Sequence, residues 1–407
     1  MYWLLLLFIY FLLDLSVKPI SSLKCLDDSG KPVDWWILYK YPKTKGSQSR
    51  LFTGVSYGFI TANDQNGWKL SAYDMTSPKS MIARTLKPFY SGNRTSLSWA
   101  FYSDQPPCCH ASSSFAHSKG VLMSDCRSGF WLIHSIPQFP NTNEKIYKYS
   151  TNGLRNGQTM MCLSLSMQEL ANVVNANLLV ARVYVYAIYI GLEKSALGEA
   201  LKKLEHRFWS PKLFNEFEFK IGEQQFTSYY KSPKQHSDLY ALIASKTCDS
   251  LRVETWRHPP GNPLPSNCSL SKIEVENVSE IKLEFKNSNL TGSFSSMCDH
   301  SKWAMSRKKA FNCVGDINRA ESQFNRGGGT TCMIGNKNVW SSYNLILSTV
   351  DKCQDDPDPP KKYALDGDHN EKKLEQFWND FKNKIQLDSI TMKNSKEISD
   401  FENDFKL

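Results

Sequence analysis

Short apolar runs cut by Gly, Pro, Ser and Asn fill the chain from Cys25 to about Pro140, a pattern that predicts β-strands. The clearest are residues 35–39, 120–123 and 130–136. The period changes to 3–4 at residues 167–177 and 193–206, which predicts helices. Residues 171–190 are apolar but carry Asn172, Asn175, Asn177 and Arg182, so they read as a core helix or a strand pair rather than a membrane span. A second strand-rich region runs over residues 272–285 and on to 347. Beyond Cys353 the pattern stops: residues 355–360 read DDPDPP, and the rest is charged and free of cysteine. Residues 356–407 therefore form an appended tail. At the other end, residues 2–13 are an unbroken apolar and aromatic run followed by small residues at Ser21 and Ser22. That run is short for a membrane span and fits the apolar core of a secretory signal peptide over residues 1–22.

Length and composition narrow this picture. A single core rarely grows past about 250–300 residues, so 407 residues suggest two fused or duplicated units, here 23–190 and 191–355. With 41% hydrophobic, 13% aromatic and 22% charged residues and a mean hydropathy of −0.44, the chain is not disordered, collagenous or a polytopic membrane protein. The formal net charge of +9 suits a polyanionic partner such as nucleic acid. Eleven spread cysteines, with no CxxC pair, predict disulfides in an oxidising compartment. Sequons at Asn93, Asn267, Asn277 and Asn289 predict glycosylation, the last three on an exposed strip.

One repeat carries chemistry. Of the eight histidines, two are followed by x-Lys, and both read His-Ser-Lys: His117-Ser118-Lys119 and His300-Ser301-Lys302. Each is followed by a glycine and then a polar residue at nearly equal spacing, Gly129 and His134 in the first half, Gly315 and Asn318 in the second. In a strand, residues i and i+2 share a face. Two such strands side by side would bring two imidazoles and two ammoniums into one pocket. That group suits a phosphodiester: lysines neutralise the non-bridging oxygens, one neutral histidine attacks phosphorus, and the other, protonated, donates to the leaving oxygen.

The double HxK resembles the phospholipase D superfamily, and the surrounding sequence is similar to the deoxyribonuclease II family. The stretches that carry the likeness are CLDDSGKPVDWWILYKYP from Cys25, AHSKGVLMSD from Ala116, GFWLIHSIPQFP from Gly129, DHSKWAMS from Asp299 and NCVGDINRAESQFNRGGGTTC from Asn312. The resemblance implies a mixed α/β fold, phospholipase D-like, with two pseudo-symmetric halves, each a central sheet flanked by helices, and an active site at their interface. It implies a lysosomal or secreted acid endonuclease that cleaves double-stranded DNA with little sequence specificity, uses no metal or other cofactor, has no stable membrane association, and leaves 3′-phosphate and 5′-hydroxyl ends. It carries the catalytic roles to His117, Lys119, His300 and Lys302, and phosphate binding to His134 and Asn318. It also implies bridges Cys25–Cys162, Cys268–Cys353 and Cys313–Cys332, leaving Cys108, Cys109, Cys126, Cys248 and Cys298 for local bridges.

Other features fit less specific roles. The superfamily places an Asp seven residues after each histidine, where this chain has Ser124 and Arg307, so Asp125, Asp316 and Glu321 are the candidates to orient the imidazoles. Arg326 to Thr330 reads as a tight turn near the site. Tyr229, Tyr230, Lys231 and Lys234 could follow a DNA backbone, and His206, His236, His258 and His369 have no partner at a meaningful spacing. Two other functions share these features: a lipid phosphodiesterase of the same superfamily, and a secreted DNA-binding or host-interaction homologue with little turnover.

Overall fold

A computed structural model describes residues 23–44, 49–92, 94–258, 261–268 and 273–351, all within one compact unit. The expected leader, the Asn93 sequon, Cys353, His369 and the tail lie outside the described residues.

Two sheets carry the architecture. The first takes β1 (Trp35–Lys40), β2 (Tyr57–Thr61), β3 (Asp64–Leu70), β4 (Ser98–Ser103), β5 (Lys119–Ser124), β6 (Ser128–His134), β7 (Gln158–Ser166) and β8 (Val185–Ile190), in the order β8-β4-β5-β6-β7-β1-β2-β3. The second takes β9 (Phe214–Ile221), β10 (Gln224–Lys231), β11 (Leu251–Glu254), β12 (Val275–Phe285), β13 (Ser288–Ser295), β14 (Trp303–Ser306), β15 (Asn312–Gly315), β16 (Gly328–Ile334) and β17 (Leu347–Asp351). Its order is β9-β10-β16-β15-β14-β11-β12-β13, with β17 on β12. Read across the middle, β4-β5-β6-β7-β1-β2 corresponds to β11-β14-β15-β16-β10-β9, and both HSK segments enter corresponding strands. This is the mixed α/β, two-sheet arrangement of the phospholipase D-like fold.

Period 2 is visible in the packing. On β1, Trp35, Ile37 and Tyr39 face a core shared between the two sheets, which also holds Tyr230, Trp303, Val314 and Met333. Trp36 and Leu38 face the opposite way, into a core closed by Met81, Ile82, Leu86 and Phe89 of helix α1 (Met81–Ser91). Helix α2 (Met167–Val173) continues through a π-helical turn, Val174–Leu178, to Ala181, where Arg182 ends it in a left-handed conformation. Residues 171–190 are thus a helix end followed by β8. Leu170, Ala171 and Val174 of this segment and Leu197, Leu201 and Leu204 of α3 (Ala196–Glu205) fill the shared core. On the outer face of the second sheet, α4 (Leu239–Thr247) buries Leu239, Tyr240 and Ile243 against Leu251, Val253 and Ala304. One expected strand stretch is helical: α5 (Lys337–Ile346) starts where Asn336 caps the Val339 N–H, and it buries Val339, Tyr343 and Ile346.

Cys25–Cys162 ties the first described residues to β7, and Cys313–Cys332 joins paired positions of β15 and β16. Cys268 is disulfide-bonded. The five cysteines expected to form local bridges are instead free and exposed; Cys108 and Cys109 are neighbours in one loop with sulfurs 2.8 Å apart, and Cys126, Cys248 and Cys298 lie elsewhere. The glycan strip also needs correction. Asn277 is 1% exposed on an interior strand, its Nδ2 donates to the Leu264 carbonyl at 3.0 Å, and its Oδ1 accepts from Arg319, so the nitrogen a glycan would take is in use. Asn289 is exposed on β13.

Candidate active site

Both HSK segments stand just before a strand rather than inside it: His117 and Ser118 precede β5, which begins at Lys119, and residues 300–302 precede β14. Those strands lie in different sheets, so the expected side-by-side pair of strands does not exist. The four side chains nevertheless converge. His117 lies within electrostatic reach of Lys119 and Lys302, and His300 within reach of His117, Lys119 and Lys302. Each tripeptide is held from the opposite sheet. The His117 N–H donates to the Gly327 carbonyl at 2.9 Å, and the His300 N–H donates to the Gly157 carbonyl at 2.9 Å. A Cβ at Gly327 would lie 1.9 Å from the Ala181 carbonyl oxygen and one at Gly157 2.4 Å from Asp299 Oδ1, so both close approaches require glycine.

The imidazoles are oriented differently. His117 Nδ1 lies 2.5 Å from the Asp316 carbonyl oxygen, which makes Nδ1 the protonated nitrogen and leaves Nε2 with its lone pair. His300 Nε2 lies 2.9 Å from Asn156 Nδ2, and the Trp256 ring covers it at 4.2 Å between centroids. Trp256 also stacks on His258, a residue without visible meaning in the sequence. Of the three candidate carboxylates, Asp316 alone touches the site: its Oδ2 accepts from the Ser118 hydroxyl and its Oδ1 from the Gly329 N–H at 2.9 Å. Asp125 instead caps a turn, accepting from the N–H groups of Leu23, Arg127 and Ser128, and Glu321 accepts from Asn262.

Two acids near the site were missed. Asp104, 6% exposed at its side chain, lies 2.5 Å from Lys119 Nζ, 3.2 Å from Arg326 and 3.9 Å from His117 Nε2. No spacing rule marks it, because it sits on the loop after β4 and meets Lys119 only through folding. Glu254 at the end of β11 is fully buried, and neither carboxyl oxygen has a hydrogen-bond partner among the described residues. The second HSK is braced by Asp299, which accepts from the Ser301 N–H at 3.0 Å and hydroxyl and from the Tyr39 hydroxyl.

Charge follows from this burial. Desolvation first, then Lys119, Arg326 and Lys302, push the His117 imidazole well below its ordinary value, with Asp104 opposing them. Desolvation, Lys302 and Lys119 push His300 down as well. Lys302 is lowered to about 7 by burial and by Lys119. Burial would raise Asp104, but Lys119, His117 and Arg326 hold it well below the usual carboxylate range. Asp316 is raised to about 7, chiefly by burial. His134 is fully buried and lowered to about 3 by desolvation and Lys119. Its Nδ1 accepts the Ile136 N–H, so Nε2 carries the proton, and it has no acceptor among the described residues. Asn318 is partly exposed, with a buried Oδ1 that has no partner among the described residues.

The stretch read as a DNA track is mostly interior: Tyr229, Tyr230 and Lys231 are buried, and Lys234 is exposed. Among the described residues no helix is long and apolar enough to cross a membrane, and no group of three or more His, Cys, Asp or Glu could hold a metal ion.

The family model for deoxyribonuclease II matches residues 24–353, both sheets and both HSK segments included. The chain belongs to the deoxyribonuclease II family. It is 34% identical over 350 residues to deoxyribonuclease-2-alpha of Mus musculus, covering 82% of this chain and 95% of that protein. It is 30% identical over 351 residues to deoxyribonuclease-2-beta of Homo sapiens (83% and 94%), and 30% over 360 residues to cell-death-related nuclease 7 of Caenorhabditis elegans (85% and 93%). As a deoxyribonuclease II-like hydrolase, this protein has a core that spans nearly the full length of its relatives.

Proposed function

We propose that this protein is an acid endonuclease that hydrolyses DNA through a phosphohistidine, without divalent metal. What carries the reading is the convergence of two HSK segments, one from each sheet, on one buried, cationic spot. His117 attacks: its Nδ1 proton is held by the Asp316 carbonyl, so the Nε2 lone pair forms the N–P bond as the P–O5′ bond breaks. His300, protonated once the negative charge of the bound phosphate offsets Lys119 and Lys302, gives its proton to the departing 5′-oxygen. Now neutral, His300 takes a proton from water, whose oxygen attacks phosphorus, releases His117 and leaves a 3′-phosphate. Lys119 and Lys302 bind the non-bridging oxygens, with the Nε2–H of His134, which has no acceptor among the described residues, as a further donor and Asn318 as the corresponding residue of the second half. These charges come from the protein, so the chemistry needs no cation from solution. The disulfides and the exposed Asn289 sequon support a life in the secretory route, lysosomal or secreted.

The test is plasmid nicking at acidic pH in EDTA with end-group analysis. Nicks with 3′-phosphate and 5′-hydroxyl ends are expected. Absence of nicking by disulfide-intact protein that still binds DNA would favour a binding homologue, and turnover of phospholipid alone a lipid phosphodiesterase.

A further inference from the structure

A second internal repeat surrounds the HSK pair. Tyr39-Lys40-Tyr41-Pro42 and Tyr230-Lys231-Ser232-Pro233 share the pattern Tyr-Lys-x-Pro, and each lysine is the last residue of its strand, β1 or β10. These strands occupy corresponding places in the two sheets. Both lysines are buried, at 0% and 1% exposure, and among the described residues neither ammonium has a carboxylate within hydrogen-bond distance. Each is wrapped by backbone carbonyls instead. Lys40 Nζ donates to Gly54, Gly153, Leu154 and Asn156 at 2.5–3.2 Å. Lys231 Nζ donates to Gln235, Gln323, Phe324 and Arg326 at 2.7–3.1 Å. An ammonium has three donors and strong hydration, so burying one among carbonyls is costly unless it shapes the backbone it holds.

What it shapes is the same in both halves. The residue after each captured loop is the glycine that docks a histidine: Gly157 after Asn156, Gly327 after Arg326. Two residues further, the carbonyls of Thr159 and Gly329 accept from the N–H groups of Ser135 and Asp316, each at 3.1 Å. Five residues after each glycine comes a disulfide cysteine, Cys162 or Cys332. The pattern is crossed. Lys40 and its loop belong to the first sheet but dock His300 of the second; Lys231 and its loop belong to the second sheet but dock His117 of the first. The last loop residue also reaches the histidine's surroundings with its side chain. Asn156 meets His300 Nε2, and Arg326 donates to the Phe115 and Ala116 carbonyls and to Asp104 beside His117.

We propose that Lys40 and Lys231 are positioning residues, each gathering a loop of its own half so that the loop's glycine carbonyl and last side chain orient the catalytic histidine of the other half. The site then works only with both halves in place, since each histidine's backbone is docked by a glycine carbonyl of the other half. This rests on the reading that His117 and His300 are the catalytic pair.

The experiment compares Lys40→Met and Lys231→Met, which keep the length of the stem and remove the donors, in the full disulfide-bonded chain. Steady-state cleavage should show kcat down at least about tenfold with KM for DNA changed by less than about threefold, because Lys119 and Lys302 are intact. Histidine-selective 13C labelling gives the second readout: Lys40→Met should move the ring resonance of His300 and spare His117, and Lys231→Met the reverse. Unchanged kcat, or resonances that move together or in the same half as the substitution, would overturn the proposal. If the Met variants do not fold, Asn156→Ala and Arg326→Ala take their place, expected to move His300 and His117 respectively; no selectivity there is equally fatal. His117→Ala and His300→Ala run alongside. If they still cleave, the catalytic reading fails; if they are inactive while the lysine variants are normal, only the crossed positioning fails.

Discussion

Replacing Asp104 with Asn removes one negative charge and almost no volume, and the structure sets the size of the result. The carboxylate is buried between Lys119 at 2.5 Å and Arg326 at 3.2 Å, with His117 Nε2 at 3.9 Å. Taking away one partner of a buried ion pair leaves the other charge uncompensated, which costs about 3–5 kcal/mol. The sign with pH follows from the depressed carboxyl. Asp104 stabilises the fold fully above its unfolded value of about 3.9, and that contribution is lost as pH falls towards its much lower folded value. Urea unfolding should therefore show Asp104→Asn about 3–5 kcal/mol less stable than wild type at pH 6. At pH 3 the gap should be about 1 kcal/mol smaller, since each unit below about 3.9 is worth about 1.4 kcal/mol. The imidazole responds too. With Asp104 no longer opposing Lys119 and Arg326, His117 should be pushed further down, which NMR titration of its ring resonances would read. A stability loss under about 1 kcal/mol at pH 6, or one that does not shrink at pH 3, would refute the assignment of Asp104 as the counter-ion that holds this cationic spot together.

His117→Ala and His300→Ala should each abolish nicking, and the double variant should be scarcely worse, because residues acting as one unit are not additive; additive losses in kcat would separate their roles. Both imidazoles are pushed down in the free protein, so kcat/KM should be bell-shaped with its maximum below about 6.5, unmoved by EDTA or Mg²⁺, and an optimum above neutrality would exclude the paired-histidine mechanism. Cys25–Cys162 closes a sequence separation of 137 residues, and its loss should cost about 2–5 kcal/mol, seen as a lower urea midpoint for a Cys25→Ala/Cys162→Ala variant. Raising salt from about 50 to 200 mM should weaken DNA binding steeply through counterion release; a flat KM would show that the net charge of +9 plays no part in capture.

The sequence by itself determined what depends on local pattern and on residue type. Short apolar runs cut by Gly, Pro, Ser and Asn marked β1, β5 and β6, the 3–4 period marked α2 and α3, and the repeated His-Ser-Lys named the four groups that tertiary structure brings together. Extrapolating the strand period into residues 337–346 failed, because a short apolar segment near an Asn cap satisfies helix and strand alike until its packing partner is known. The sequon at Asn277 failed for a related reason: the motif reports three residues, whereas accessibility depends on Leu264 and Arg319, which only the fold brings near. The same holds for the charges. Asp316 lies 198 residues from the Ser118 hydroxyl it accepts from and Asp104 is 222 residues from Arg326, and the orienting contact at His117 is a backbone carbonyl, which no side-chain motif can announce. The crossed docking of each histidine on a glycine of the opposite sheet was beyond sequence reasoning as well, since it depends on how two sheets meet, and that is decided by the packing of the whole core they share.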